Sequence, residues 1–257
     1  MTRKLTTCQY GIGMSTLSPK KQEIINRESR ILELARQMVL NGGYHGLGLD
    51  SLAAELGISR GTIYNHFECK EEIILALLVE TMDKRREMFQ RAASYPDIPR
   101  VRLAAIGVAA ELFVRLYPDH FRVEQIVKSD SIWGKTTEER RALVKGCQLQ
   151  CVGIVAGIVR DGIAQGHVAL PDGTTPEAVV FGLWSMTEGA YSIIATSDAV
   201  AELGILEPFP AIRVNIHRML DGFNWTPLSN ELDFNAAMEK VVRDVFPREF
   251  ARLKQSW

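Results

Sequence analysis

The sequence predicts an all-α protein: apolar residues recur at spacings of three and four over long stretches, prolines punctuate those stretches, and no strand-like alternation, repeat or low-complexity tract breaks them. A chain of 257 residues exceeds what one small helical core accommodates, so two units are expected, a small N-terminal one and a larger helical one. Hydrophobic residues make up 46% and charged residues 24%, the range of cored globular chains, which excludes global disorder.

Residues 1–18 mix polar residues with Gly11 and Gly13 and show no period, which predicts a mobile arm ending near Pro19. From Lys20, Ile24, Ile31, Leu34, Ala35 and Met38 fall on one helical face, and Asn41-Gly42-Gly43 predicts the stop. Two very short helices follow in LDSLAAELGISRGTIYNHF. Asp50 or Leu49 opens the first, where Asp50 can cap; Leu52, Ala53 and Leu56 give its apolar face, and Gly57 closes it where positive φ is needed. Ser59 caps the second, which is expected to run to about His66. Helix, glycine-centred turn and helix of this size make a helix-turn-helix. A long helix is predicted from Lys70 to about Ser94, with Ile73, Ile74, Leu77, Leu78 and Met82 inward. Further helices are predicted over Val101–Tyr117, Glu138–Gln165, Pro176–Thr196 and Pro210–Phe223, with a short one within 119–135 and an amphipathic stretch over Asp233–Lys254 interrupted by Pro247. The expected division is an arm over 1–18, a helix-turn-helix domain over 19–69 and a larger helical domain over 70–257.

Within that stretch Gly57, Ile58, Ser59, Gly61, Thr62, Ile63, Tyr64, His66, Phe67, Lys70 and Glu71 stand as in the DNA-binding domain of the tetracycline-repressor (TetR) family, which the segment from about 20 to 80 resembles. The resemblance implies a three-helix DNA-binding domain followed by a larger helical domain that binds a small-molecule effector and dimerises. It also implies a ligand-responsive transcriptional regulator, most simply a repressor that binds a palindromic double-stranded operator as a homodimer and is released by its effector. The physical pattern agrees, because a recognition helix must turn its apolar side, Ile63 and Phe67, inward and show polar groups to a groove. Ser59, Arg60, Gly61, Thr62, Tyr64, Asn65, His66 and Lys70 are the candidate DNA contacts. Hydroxyl, imidazole and backbone donors suit phosphate oxygens, Arg60 and Asn65 carry donors that read guanine and adenine edges, and Lys70 opens a helix whose positive end adds to its charge. The family often places a phosphate-touching Thr at the first short helix; Leu49 followed by Asp50 departs from it, and Asp50 repels DNA. Residues 1–70 carry nine Lys/Arg against six Asp/Glu, a net +3, and the rest carries −4 within a formal total of −1, an asymmetry compatible with DNA but too small to argue it.

In the larger domain Gly182, Ser185, Gly189 and Ser192 line one stripe of the Pro176–Thr196 helix, which lets a second helix approach closely. The resemblance makes that stripe and the Pro210–Phe223 helix the dimer interface; packing within the chain explains the same stripe. Phe113, Tyr117, Phe121, Trp133, Cys147, Cys151, Trp184, Glu188 and Tyr191 are candidate ligand-pocket residues, since aromatic walls with few polar groups line most cavities, although aromatics at helical spacing also form ordinary core. Glu188 among apolar neighbours needs a partner if buried, a cationic ligand being one. Glu111 with Arg115 reads as an exposed i,i+4 pair.

Competing functions are a TetR-like protein acting through protein partners and a helical enzyme. His45, His66, His120, His167 and His217 fall singly, and neither a zinc-protease pattern nor a glycine-rich phosphate loop is present, so no catalytic residues, metal or cofactor are expected. Cys8, Cys69, Cys147 and Cys151 read as reduced thiols; Cys147 and Cys151 share a helical face, which fits a redox or metal pair or two small core residues. No apolar run approaching the roughly 18 residues of a bilayer span is expected, nor is a signal core after Arg3 and Lys4, so the expected location is the cytoplasm.

Overall fold

The computed structural model describes residues 18–127 and 130–255; the arm expected over 1–18, Ser18 excepted, lies outside them, as does Cys8. Helices follow one another as α1 (Pro19–Gly46), α2 (Leu49–Leu56), α3 (Arg60–Tyr64), α4 (Lys70–Ala93), α5 (Pro99–Leu116), α6 (Pro118–Val127), α7 (Asp130–Trp133), α8 (Glu138–Ala164), α9 (Pro176–Thr196), α10 (Ala199–Glu202), α11 (Pro208–Gly222), α12 (Phe234–Val245) and α13 (Pro247–Gln255), with no strand among the described residues. The protein is all-α, with an N-terminal helix-turn-helix followed by a helical remainder.

Chain packing yields two compact units that do not follow a cut at residue 69/70. Among the described residues, the first holds those up to Lys84 together with those of Asp119–Gln148; the second holds Arg85–Pro118 and those from Leu149 onward. Helices α4 and α8 contribute to both.

In the first unit Pro19 sits at the start of α1 behind Ser18, whose hydroxyl accepts from the Lys21 N–H at 3.4 Å. Ile31, Leu32, Ala35 and Val39 are the buried stripe of α1. The stop expected at Asn41-Gly42-Gly43 is instead a kink: Gly43 takes a φ of 63° and a further turn runs on to Gly46. Residues 73–79 of α4 are all buried, not only the face predicted from spacing, as befits a helix enclosed by Ile31 and Leu32 of α1, Val123 and Val127 of α6 and Val144 of α8 in one cluster.

In the second unit α5 packs against α12 and α13, and α9 against α11. Leu103, Ile106, Leu112 and Phe113 of α5 share a core with Ile158 and Val159 of α8, Val179 and Leu183 of α9, and Val241 and Phe246 from the C-terminal helices. At Gly162 an added Cβ would stand 2.7 Å from Trp225 Cζ2, so only glycine lets the fully buried indole rest on α8. Arg100, completely buried, pairs with Asp221 at 2.8 Å.

Helices α8 and α9 are each long and apolar enough to cross a bilayer by length and composition, contrary to the expectation from uncharged runs. Isolated residues such as Glu188 interrupt a run without making the helix polar. Core helices of soluble proteins pass the same test.

Candidate DNA-binding face

The face begins with the turn. Gly57 lies in the left-handed region (φ 66°, ψ 32°), and the N–H groups of Gly57 and Ile58 return to Ala54 and Ala53 carbonyls at 3.2 and 3.1 Å. A side chain at Gly57 would be strained there. Ser59 then starts α3, its Oγ accepting from the Thr62 N–H at 3.1 Å and lying 2.8 Å from the Thr62 hydroxyl. Ile63 and Phe67 are buried and anchor α3 to the first core, while Ser59, Arg60, Gly61, Tyr64 and Asn65 are exposed and Thr62 is half-buried.

Two expectations are corrected. His66, assigned to the outer face, is only 9% exposed; α3 ends at Tyr64 with Asn65 as its C-cap, so the next residues turn inward and put the His66 ring 3.9 Å from the Glu28 carboxylate on α1. Asp50 does not cap α2. Gly48 holds the N-cap position without a side-chain bond, and Asp50, in the first turn, pairs with Arg60 at 2.9 Å.

Arg60 is therefore already engaged. Its Nη1 donates to Asp50 and its Nη2 to the Tyr64 hydroxyl at 3.0 Å, with the guanidinium 5.4 Å from the Tyr64 ring centre. The Tyr64 hydroxyl and the Asp50 charge hold its pKa above the ordinary arginine value. Lys70, at the first position of α4, is half-buried, donates to the Tyr44 carbonyl at 3.3 Å and lies 3.9 Å from the centre of the Tyr44 ring. Sequence reasoning missed Lys135, whose exposed ammonium meets Glu71 and the Tyr44 hydroxyl, both at 3.4 Å. No local signal could have found it, because 65 residues separate it from Lys70.

The candidate pocket residues fall in different units. Phe121, Trp133 and Cys147 belong to the first, where Phe121 and Cys147 are buried and the Trp133 indole donates to the Val127 carbonyl at 3.0 Å. Phe113, Tyr117, Cys151, Trp184, Glu188 and Tyr191 belong to the second. The Phe113 ring lies 5.9 Å from Tyr117 and carries the Arg85 guanidinium at 4.6 Å. Tyr191 is buried 5.9 Å from Phe209; burial, then the charge of Glu111, pushes its phenol well above the usual range, with Arg85 and Arg213 opposing and Glu188 adding to the shift. Trp184 is 40% exposed, so it does not wall an enclosed pocket: it follows buried Leu183 on α9 and turns outward. Glu111 and Arg115 do pair, at 3.0 Å, but largely buried and joined by Arg213 of α11, which corrects the exposed pair expected from spacing. Gly182 serves intrachain packing, since an added Cβ would meet Met219 of α11 at 2.9 Å, whereas Ser185 and Gly189 are exposed, Ser192 is half-buried and, apart from α9's own neighbouring backbone, no described residue lies within 4 Å of a Cβ at Gly189.

Residues 31–77 match the family described as bacterial regulatory proteins of the tetR family. The fatty acid metabolism regulator protein of Bacillus subtilis is 25% identical over 182 residues, covering 68% of this chain and 91% of that protein. The transcriptional activator FasR of Mycolicibacterium smegmatis is 28% identical over 144 residues, 56% of this chain and 64% of that one. Among solved structures, B. subtilis FadR in complex with stearoyl-CoA superimposes with a TM-score of 0.56 at 18% identity, covering 75% of this chain and 96% of that chain. The matched segment coincides with the stretch that builds the turn, α3 and its anchors, and residues 31–77 of this chain form a domain of the tetR family of bacterial regulatory proteins.

Proposed function

We propose that the chain is a repressor that works in the cytoplasm as a homodimer, places α3 of each subunit in successive major grooves of a palindromic operator, and lets go when a small molecule occupies its helical second unit. The observation that carries this reading is the two-sidedness of α3: Ile63 inward, with Arg60, Tyr64 and Asn65 exposed together on the outside. Two outward α3 helices about 34 Å apart would meet half-sites one helical turn apart, which requires two copies. An exposed apolar face is available for that contact: Phe181 (65%), Ile193 (50%) and Trp184 on α9 and Val214 (56%) on α11. FasR is named an activator, which favours activation as a second reading; in-vitro transcription from the bound promoter, with and without the protein, separates the two by sign.

Roles on the face divide by donor type. Lys70 offers one charge to a phosphate, as does Lys135, so Lys70→Ala should weaken binding about equally on all sequences and reduce the salt slope by roughly one per subunit. Arg60→Ala and Asn65→Ala remove donors for base edges, and each should cost on the order of 1–3 kcal/mol on the cognate duplex while relaxing preference at one position per half-site. The measurement is binding to a duplex selected from a randomised pool and to a scrambled duplex, across a salt series. Base preference altered by Lys70→Ala but untouched by Arg60→Ala and Asn65→Ala would reverse the assignment.

For the effector, the stearoyl-CoA of the FadR structure makes acyl-CoA thioesters of graded chain length the first probes, and Phe113, Glu188 and Tyr191 the residues to vary. An effector that favours the DNA-incompetent state should lower operator affinity about 5- to 150-fold. Phe113→Ala or Tyr191→Ala should blunt that release without weakening operator binding in its absence. Full release by the active thioester in both variants would place its site elsewhere.

A further inference from the structure

On the DNA-facing reading of α3, we propose that Asp50 is a specificity-determining residue: its carboxylate holds Arg60 ready for a base edge and makes unspecific phosphate contact unfavourable. Asp50 reaches Arg60 Nη1 with both oxygens, at 2.9 and 3.0 Å, while Nη2 donates to the Tyr64 hydroxyl at 3.0 Å. All three side chains are exposed, so the triad is open to an approaching duplex.

Its chemistry differs on the two kinds of DNA. A guanidinium has five N–H donors, and the three contacts in the triad leave others to address guanine O6 and N7. Asp50 can therefore keep its hold while Arg60 reads a base, as one side of a planar cation faces the carboxylate and another the groove. Phosphate oxygens could take the same free donors, but doing so draws the Asp50 carboxylate, still bound to Arg60, up against the backbone. Taking Arg60 from Asp50 for a phosphate leaves an uncompensated carboxylate against the negative backbone, and like charges at that distance repel. The pair itself is solvent-exposed, and such pairs are weak, so it restrains Arg60 without locking it. Asp50 thus costs non-cognate binding more than cognate binding, and discrimination by an unfavourable element against the wrong partner is how many specific interfaces gain selectivity.

The test is Asp50→Asn, with Asp50→Ser as a second variant whose small side chain suits the first turn of α2. Each is compared with the parent on a duplex selected from a randomised pool and on a scrambled duplex of equal composition, over a salt series. Affinity for scrambled DNA should rise about 3- to 10-fold at low salt, and the salt slope on that duplex should steepen by roughly one per subunit as Arg60 becomes free to neutralise a phosphate. Affinity for the selected duplex should rise less or fall, so that the ratio of the two drops. Asp50→Glu, which keeps the charge, should stay near the parent. The proposal is overturned if Arg60→Ala loses base preference while Asp50→Asn and Asp50→Ser leave both affinities and both slopes unchanged. If instead Arg60→Ala and Lys70→Ala leave binding to every duplex intact, the DNA-facing reading of α3 is itself wrong and the role of Asp50 falls with it.

Discussion

On the proposed homodimer, Gly189→Trp should give a monomer that still folds. Apart from α9's own neighbouring backbone, no described residue lies within 4 Å of a Cβ built at Gly189, and the residue sits on the exposed side of α9 between Ser185 and Ile193. An indole there meets solvent in one subunit, so the parent's melting temperature at low concentration should be nearly kept. Across a close helix crossing between two copies the same indole has no room, because small residues allow backbones to approach and a large one forces them apart. Losing the second half-site removes the gain of linked binding, roughly 10²- to 10⁴-fold, so operator affinity should collapse while half-site affinity changes little. Light scattering and binding to full and half operators measure both consequences. A Gly189→Trp protein that stays dimeric would move the interface off this face of α9. Gly182→Trp is the contrasting variant: its Cβ would meet Met219 within the chain, so it should destabilise the subunit itself.

What the sequence revealed and what it hid follow one physical line. Features set by a few consecutive residues were legible: Gly57 at positive φ, Ser59 capping α3, the proline start of α9 and the inward Ile63, whereas α5 and α11 begin at Pro99 and Pro208, each two residues before the start expected at Val101 and Pro210. Features set by chain reversal were not. His66 turns inward because α3 stops at Tyr64, Asp50 meets Arg60 across the turn, and Lys135 returns to Tyr44 from another helix. The same holds in the second unit, where helical spacing placed Glu111 beside Arg115 but could not show Arg213 arriving from α11. The stripe on α9 was visible as a pattern, yet only the position of Met219 separates Gly182, used within the chain, from Gly189, left open. Burial all round residues 73–79 of α4 was legible only in part, since the sequence shows a helix's period but not how many neighbours enclose it.

Glu72→Ala should be among the most destabilising single substitutions in the first unit. Glu72, in the first turn of α4, accepts from Arg140 Nε at 3.1 Å and from the Thr137 N–H at 2.6 Å, and both charged side chains are buried. Burial alone would push the Glu72 carboxyl up, but the Thr137 backbone donor and then Arg140 outweigh it and leave the pKa below the ordinary 4.5. A carboxylate lowered on folding contributes stability at pH above its unfolded value, and that contribution fades as pH falls through the lower folded value; the parent should lose this increment only below about pH 4.5. Removing the carboxylate strands the Arg140 guanidinium, whose Nη1 has no hydrogen-bond partner among the described residues even in the parent. Breaking a buried pair from one side costs about 3–5 kcal/mol, which for a chain of this size lowers the melting temperature by roughly 6–20 °C. Replacing both members, as in Glu72→Met with Arg140→Met, removes the stranded charge and should recover much of the loss. A pH series of thermal melts on the three proteins decides the matter. If Glu72→Ala melts within 2 °C of the parent, or the double variant melts no higher than the single one, the pair does not hold the start of α4 to α8, and the position of Lys70 two residues earlier must be set by Tyr44 alone.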